Sequence, residues 1–316
     1  MPATRTSSSG TSGTHDAVIE VEGLRKDYGN GAGVESLDMH VVRGEVFGLL
    51  GPNGAGKTTT VECLQGLRKP SRGKVRVLGL DPNAAGDELR RRIGSQLQSA
   101  ALPDRLRVGE ALTLFARGGA DKDELDDLAG RWKLRELWRK PFGKLSGGQQ
   151  QRLFIALALI NRPEIVFFDE LTTGLDPHAR HETWDLVRRV RDDGATVVLV
   201  THFMEEAETL CDRVAIVDRG RVVATGRPNE LVARWGSGNR VTFTWPEADP
   251  GWLATLPGVR RVSMAEGVVE LIGTGPFAVR IAAALAHKGI EPGDFRTYHP
   301  TLEDVFLTLT GRGLWN

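Results

Sequence analysis

A chain of 316 residues has room for about two domains at the usual size of roughly 150 residues each, and its 40% hydrophobic and 26% charged composition is that of an ordinary folded protein rather than a disordered, collagenous or coiled-coil one. Lys plus Arg and Asp plus Glu both number 41, so no excess positive charge exists to grip nucleic acid or anionic lipid. The longest purely apolar run, Leu153 to Ile160, falls well short of the roughly 18 residues that a bilayer-crossing helix needs, and two widely separated cysteines, Cys63 and Cys211, exclude a disulfide scaffold or zinc ribbon and fit a reducing compartment.

The first sixteen residues, MPATRTSSSGTSGTHD, are Ser/Thr/Gly-rich, lack the apolar core of a secretory signal and read as a disordered tail. From Ala17 onward β-branched runs alternate with helical patterns. VFGLL, IVFF and TVVLV are apolar on consecutive residues, as in strands covered on both faces, whereas Leu37, Met39 and Val41 alternate with polar neighbours, as in a half-exposed antiparallel strand. The sheet is therefore expected to be mixed. Helices are expected after Gly56, around DELRRRIG, over Val108–Ala116, Gly148–Asn161 and His178–Arg191. This is an α/β pattern. Residues 99–145 read as helices without a convincing strand, hence a helical insertion. Near Gly226 the pattern shifts, and from about Val241 to Tyr298 the order is βαββαβ, which suggests a small ferredoxin-like α+β module before a terminal helix LEDVFLTLTG. The expected plan is a tail (1–16), an α/β domain (17–226) and a C-terminal accessory domain (227–316).

Gly51, Pro52, Asn53, Gly54, Ala55, Gly56, Lys57, Thr58 and Thr59 satisfy G-x-x-x-x-G-K-[ST] between the strand EVFGLL and the helix KTTTVECLQGL. Glycines let consecutive amides curve into an anion-binding concavity at a helix N-terminus. Lys57 then reaches the β and γ phosphates, Thr58 offers its hydroxyl oxygen to Mg²⁺ and Thr59 adds an α-phosphate contact. EIVFFDE supplies Asp169 at the carboxyl end of a buried strand as a second Mg²⁺ ligand, while Glu170 points differently and is free to act on a water nucleophile.

Ser146, Gly147, Gly148 and Gln149 open the apolar helix LFIALALI, with Ser146 at the N-cap and glycine amides at the helix start, a second anion site. With LSGGQ following the phosphate loop, the chain resembles the ATP-binding subunits of ABC transporters from about Val18 to Gly226. That resemblance implies a P-loop NTPase core with a mixed sheet and a helical insertion. It also implies that Tyr28 stacks on adenine and that Gln98 contacts Mg²⁺ or the attacking water and senses a membrane partner. Asp176, in Thr173-Gly174-Leu175-Asp176, sits in the loop that crosses to a partner subunit and is also a plausible N-cap; His202 is similar to the switch histidine of the γ-phosphate. The catalytic set is then Glu170, His202 and Gln98. Leu171 and Leu97 stand where the family commonly has proline, which alters loop stiffness but removes no reactive group.

The resemblance further implies ATP hydrolysis by a homodimer that clasps two ATP between the phosphate loop of one copy and the LSGGQ turn of the other. The stretch THFMEEAETLCDRVAIVDRGRVVATG and the ending TLEDVFLTLTGR resemble ATPases of daunorubicin-resistance-type multidrug exporters, which pair with ABC-2-type permeases. This places the chain at the cytoplasmic face of the membrane, held there by its permease and powering export of a drug, antibiotic or other hydrophobic compound. The alternative is a non-transport ABC ATPase acting on nucleic acid or ribosomes; the coiled-coil arms, zinc cysteines, second cassette or basic extensions that such proteins bring are absent from the sequence.

Overall fold

A computed structural model describes residues 16–29, 33–96, 101–116, 121–236, 238–245 and 249–311. The expected tail, apart from Asp16, lies outside them, and so does Gln98. The chain divides into two compact units, the first ending at Arg227 and the second starting at Pro228.

In chain order the first unit contains β1 (Ala17–Asp27), β2 (Gly33–Val42), β3 (Val46–Leu50), α1 (Lys57–Leu64), β4 (Arg72–Val77), α2 (Gly86–Arg92), β5 (Ile93–Gln96), α3 (Val108–Phe115), α4 (Lys122–Arg131), α5 (Gly147–Leu159), β6 (Ile165–Asp169), α6 (Pro177–Asp192), β7 (Thr196–Thr201), α7 (Met204–Leu210), β8 (Arg213–Asp218) and β9 (Arg221–Gly226). Nine strands form one sheet in the order β4-β1-β2-β9-β8-β3-β7-β6-β5. Its centre is parallel, with β3 between β7 (Val46 opposite Val197) and β8, and β6 between β7 and β5. Every residue of β3, β6 and β7 is buried, which is why these strands are apolar on consecutive positions. β1 pairs antiparallel with β2 and β4, and β8 with β9, so the sheet is mixed. Leu37, Met39 and Val41 of β2 are buried between exposed neighbours, as their alternation predicts.

β4, β5 and β9 are strands that periodicity alone does not pick out. β4 buries only Val75 and Val77, β5 has four residues at the far sheet edge, and β9 is at best half-buried along its length. Such strands carry too few apolar residues to leave a pattern. The insertion contains α3, α4 and two 3-10 turns, Arg135–Leu137 and Phe142–Lys144, with no strand among its described residues.

The second unit contains α8 (Pro228–Trp235), β10 (Asn239–Thr244), β11 (Val259–Ala265), β12 (Val268–Gly273), α9 (Phe277–His287), β13 (Gly293–Tyr298) and α10 (Leu302–Thr310). Its sheet runs β11-β12-β10-β13 and is antiparallel throughout. Phe277, Ile281 and Leu285, one helical stripe of α9, pack on Val241, Phe243, Val269 and Leu271 from the sheet. Between β10 and β11 the expected helix is instead a 3-10 stretch, Pro250–Thr255, started by Asp249 accepting from the Gly251 amide (2.8 Å) and buried only at Leu253. A segment with one core side chain has too little apolar surface to support a longer helix.

Candidate active site

The parallel strands deliver their carboxyl ends to one rim of the sheet, and the loops that leave β3, β6 and β7 meet there. The first is Gly51–Gly56. Gly51 has φ 152° and a Cβ on it would stand 2.1 Å from the Val217 carbonyl oxygen, so only glycine fits against β8. Gly56 caps α1 in the left-handed region with φ 99°, and no side chain accepts from the first amides of the helix. Amides at a helix start that no side chain of the described residues caps are of the kind that can bind an anion. Lys57 is buried; its Nζ donates to the Gly51 and Pro52 carbonyls (2.7 and 3.0 Å). Burial lowers its pKa, while the charges of Glu170 and Asp169 pull it back up.

Thr58 Oγ1 donates to Asp169 Oδ2 (3.3 Å), joining α1 to the end of β6. Asp169 is 2% exposed, and its other oxygen, Oδ1, is buried without a hydrogen-bond partner among the described residues. Burial, and then the charge of Glu170, push its carboxyl up to about 6, against the Thr58 hydroxyl and the Lys57 ammonium. Glu170 stands in the left-handed region (φ 51°), and its amide donates to the Val200 carbonyl (2.9 Å). The turn ends the strand and sends this carboxylate away from its neighbour, toward the end of β7. There His202 Nδ1 donates to Glu170 Oε1 (3.2 Å), with the two side chains 12% and 8% exposed. Adjacent carboxylates thus have distinct hydrogen bonds, to the Thr58 hydroxyl at Asp169 and to the His202 imidazole at Glu170, while both feel the Lys57 ammonium.

Tyr28 reaches the same rim. It is 41% exposed, its hydroxyl lies 3.3 Å from Thr59 Oγ1, and Lys26 and Arg68 flank its ring. Ser146, Gly147, Gly148 and Gln149 form a separate cluster. Ser146 Oγ accepts from the Gln149 amide (3.4 Å), and Gln149 Oε1 accepts from the Ser146 amide and from Lys140 Nζ (3.1 Å each), a capping box at α5. A Cβ on Gly147 or Gly148 would meet only Leu175 or Ala179, in ordinary contact, so this turn lies beside the segment that carries Asp176. Asp176 caps α6 by accepting from the Ala179 amide (3.0 Å), a bond that holds its carboxyl below the usual range. Among the described residues, no hydrogen bond or ion pair joins Ser146–Gln149 to the Gly51–Thr59 loop.

The structure therefore brings together Tyr28, Lys57, Thr58, Thr59, Asp169, Glu170 and His202, and places Ser146–Gln149 with Asp176. It also shows a residue that sequence reasoning passes over. Glu206 on α7 is fully buried behind this rim and accepts from Thr172 and Trp184. The available signal is its place in the stripe Phe203, Glu206, Ala207, Leu210, where helical spacing calls for an apolar side chain.

The chain is similar to known proteins over most of its length. The family model described as ABC transporter matches residues 34–173. Over 309 residues the chain is 41% identical to the daunorubicin resistance ATP-binding protein DrrA3 of Streptomyces coeruleorubidus, an alignment that spans 94% of this chain and 96% of the relative. It is 37% identical over 303 residues to the Nod factor export ATP-binding protein I of Ralstonia nicotianae, spanning 93% and 94%. Among solved structures, cbiO1 from Clostridium perfringens, part of the ABC transporter complex cbiONQ, matches with a TM-score of 0.64 and 30% identity over 69% of this chain and 91% of that one. A chain alike over nearly its whole length to such proteins leads to one conclusion: it belongs to the ABC transporter family of ATP-binding subunits and is an ATPase.

Proposed function

We propose that the chain is the ATP-hydrolysing subunit of an exporter, closing as a homodimer around two ATP and driving a separate ABC-2-type permease. The observation that carries the catalytic reading is the Glu170–His202 pair beside the phosphate loop. In this reading the α1 amides and Lys57 hold the β and γ phosphates, Thr59 meets the α phosphate and Tyr28 stacks on adenine. Glu170 accepts the proton of the attacking water, and His202 orients that carboxylate and reaches the γ-phosphate. The buried, unpartnered Asp169 Oδ1 beside the Thr58 hydroxyl fits a hard cation that takes oxygen ligands and keeps several waters, which is the preference of Mg²⁺. Thr58, Asp169 and Gln98 are its proposed holders, and bound there it would offset charge on the phosphate oxygens.

The Ser146–Gln149 turn, exposed at Ser146 and Gly147, is the surface offered to the γ-phosphate of a second copy, with Asp176 in the loop that crosses to it. Hydrolysis removes the group that both copies grip, and the pair separates. No described helix is long and apolar enough to cross a bilayer. A separate permease therefore fits, with this chain at the cytoplasmic face. A cavity of about 610 Å³ between α3 and the core, lined by Leu67, Ile93, Leu114, Phe115 and Leu157, leaves Leu114 71% exposed and suits an apolar helical end of such a permease. The names of the relatives, daunorubicin resistance and Nod factor export, favour export of a drug, antibiotic or other hydrophobic compound.

The test is Glu170→Gln. It should bind ATP as the unaltered chain does, lose at least about 100-fold in turnover, and form an ATP-dependent dimer measurable by light scattering. Full turnover would remove Glu170 as the base, and a monomer at saturating ATP would remove the dimer.

A further inference from the structure

Three segments run back from the reacting rim into the first unit: the loop after Glu170, the end of β7 before His202, and α6. All three meet one buried carboxylate. Glu206 is 0% exposed, and its Oε1 accepts from Thr172 Oγ1 (3.0 Å), two residues beyond Glu170, and from Trp184 Nε1 (3.2 Å) on α6. Thr201, next to His202, receives the Phe203 amide on its hydroxyl oxygen (3.0 Å); burial raises the pKa of Glu206, and the Thr201 hydroxyl opposes that rise by favouring its charged form. Arg180, one turn before Trp184 on α6, favours that charge as well, and its guanidinium lies 4.7 Å from the ring of Phe203, which stands 4.1 Å from the His202 ring.

Burying a carboxylate is costly, and an apolar side chain of similar volume is often at least as stabilising in such a place. What the carboxylate supplies and a leucine does not is a pair of directed acceptor bonds, one to the loop behind Glu170 and one to α6. The left-handed backbone at Glu170 needs such over-determination from its surroundings to persist. We propose that Glu206 is a positioning residue for ATP hydrolysis, fixing the Glu170–His202 pair through Thr172 and α6 without touching nucleotide. The proposal rests on Glu170 and His202 acting as described above.

The test compares Glu206→Gln, whose amide oxygen can still accept from Thr172 and Trp184, with Glu206→Leu, which cannot, in the full chain. Glu206→Leu should lower kcat about 10-fold or more, with the KM for ATP and the affinity for a non-hydrolysable analogue within about 2-fold and the thermal midpoint not reduced; Glu206→Gln should stay within about 3-fold of the original kcat. A well-folded Glu206→Leu protein with unchanged kcat would overturn the proposal. So would a Glu206→Gln protein as slow as Glu206→Leu, because charge rather than acceptor geometry would then be at issue. If Glu206→Leu does not fold, Thr172→Val and Trp184→Phe remove one donor each; a several-fold fall in kcat at unchanged KM supports the proposal, and unchanged kcat in both overturns it. Full turnover by Glu170→Gln would instead remove the general-base reading, a result read independently of these variants.

Discussion

Two helices of the first unit begin at glycine-rich turns, and they treat their first amides in opposite ways. α1 starts at Gly56 with no side chain to accept from it, whereas α5 starts at Ser146 with a complete capping box. The first therefore carries donors without a side-chain acceptor among the described residues, which suits it to the proposed phosphate. The second is satisfied within its own chain and presents an exposed serine and glycine surface. Such a surface suits the part proposed for it, that of adding to a nucleotide already held by another copy.

The largest expected effect breaks the open site. Lys57→Ala should weaken ATP binding by about 100-fold or more in a fluorescence or calorimetric titration, since a buried charge-assisted contact is lost; Ser146→Ala in a single copy should leave that affinity within about 2-fold while removing ATP-dependent dimerisation. Equal losses in the two variants would erase the contrast.

Next comes Asp169. Its folded pKa of about 6 lies above the ordinary 3.8, so the nucleotide-free and metal-free fold holds this proton more tightly than the unfolded chain does. The contribution of this group to stability is therefore greatest below about pH 4, declines as pH rises through about 4 to 6 and is flat above, a loss of up to about 3 kcal/mol. Asp169→Asn should remove that pH dependence and stabilise the free chain at pH 7.5 while lowering turnover, as measured by denaturant unfolding at several pH values. A parallel pH profile in both proteins would show that Asp169 does not carry the shift. Ser146→Ala should also cost about 1 kcal/mol of stability through the lost cap at α5. The smallest effect is at Tyr28, where Tyr28→Leu should weaken ATP binding only several-fold, about 1 kcal/mol of ring stacking.

The core strands and the Gly51–Gly56 turn before α1 were legible because each is constrained residue by residue. VFGLL, IVFF and TVVLV must be apolar throughout to lie in the middle of a sheet covered on both faces, and an anion cradle needs glycine where a Cβ would strike Val217. The edge strands β4 and β5 and the interior but at best half-buried β9 satisfy weaker demands and left no pattern, and the first crossover of the second unit shrank to a 3-10 stretch around Leu253. Tyr28 could be placed at the rim only once its hydroxyl was seen beside Thr59. Glu206 shows the opposite failure. A glutamate in a short helix reads as solvated surface, and nothing local announces that Thr172 and Trp184, distant in sequence, converge on it.

The hold of the loop on Lys57 has a consequence for how tightly nucleotide can be bound. A lysine ordered from free solution forfeits about 2 kcal/mol of rotamer freedom. Here the Gly51 and Pro52 carbonyls already fix the side chain within the loop proposed to receive the phosphates. That loss falls on folding, and the arriving triphosphate exchanges one set of oxygen acceptors for another instead of freezing a wandering ammonium.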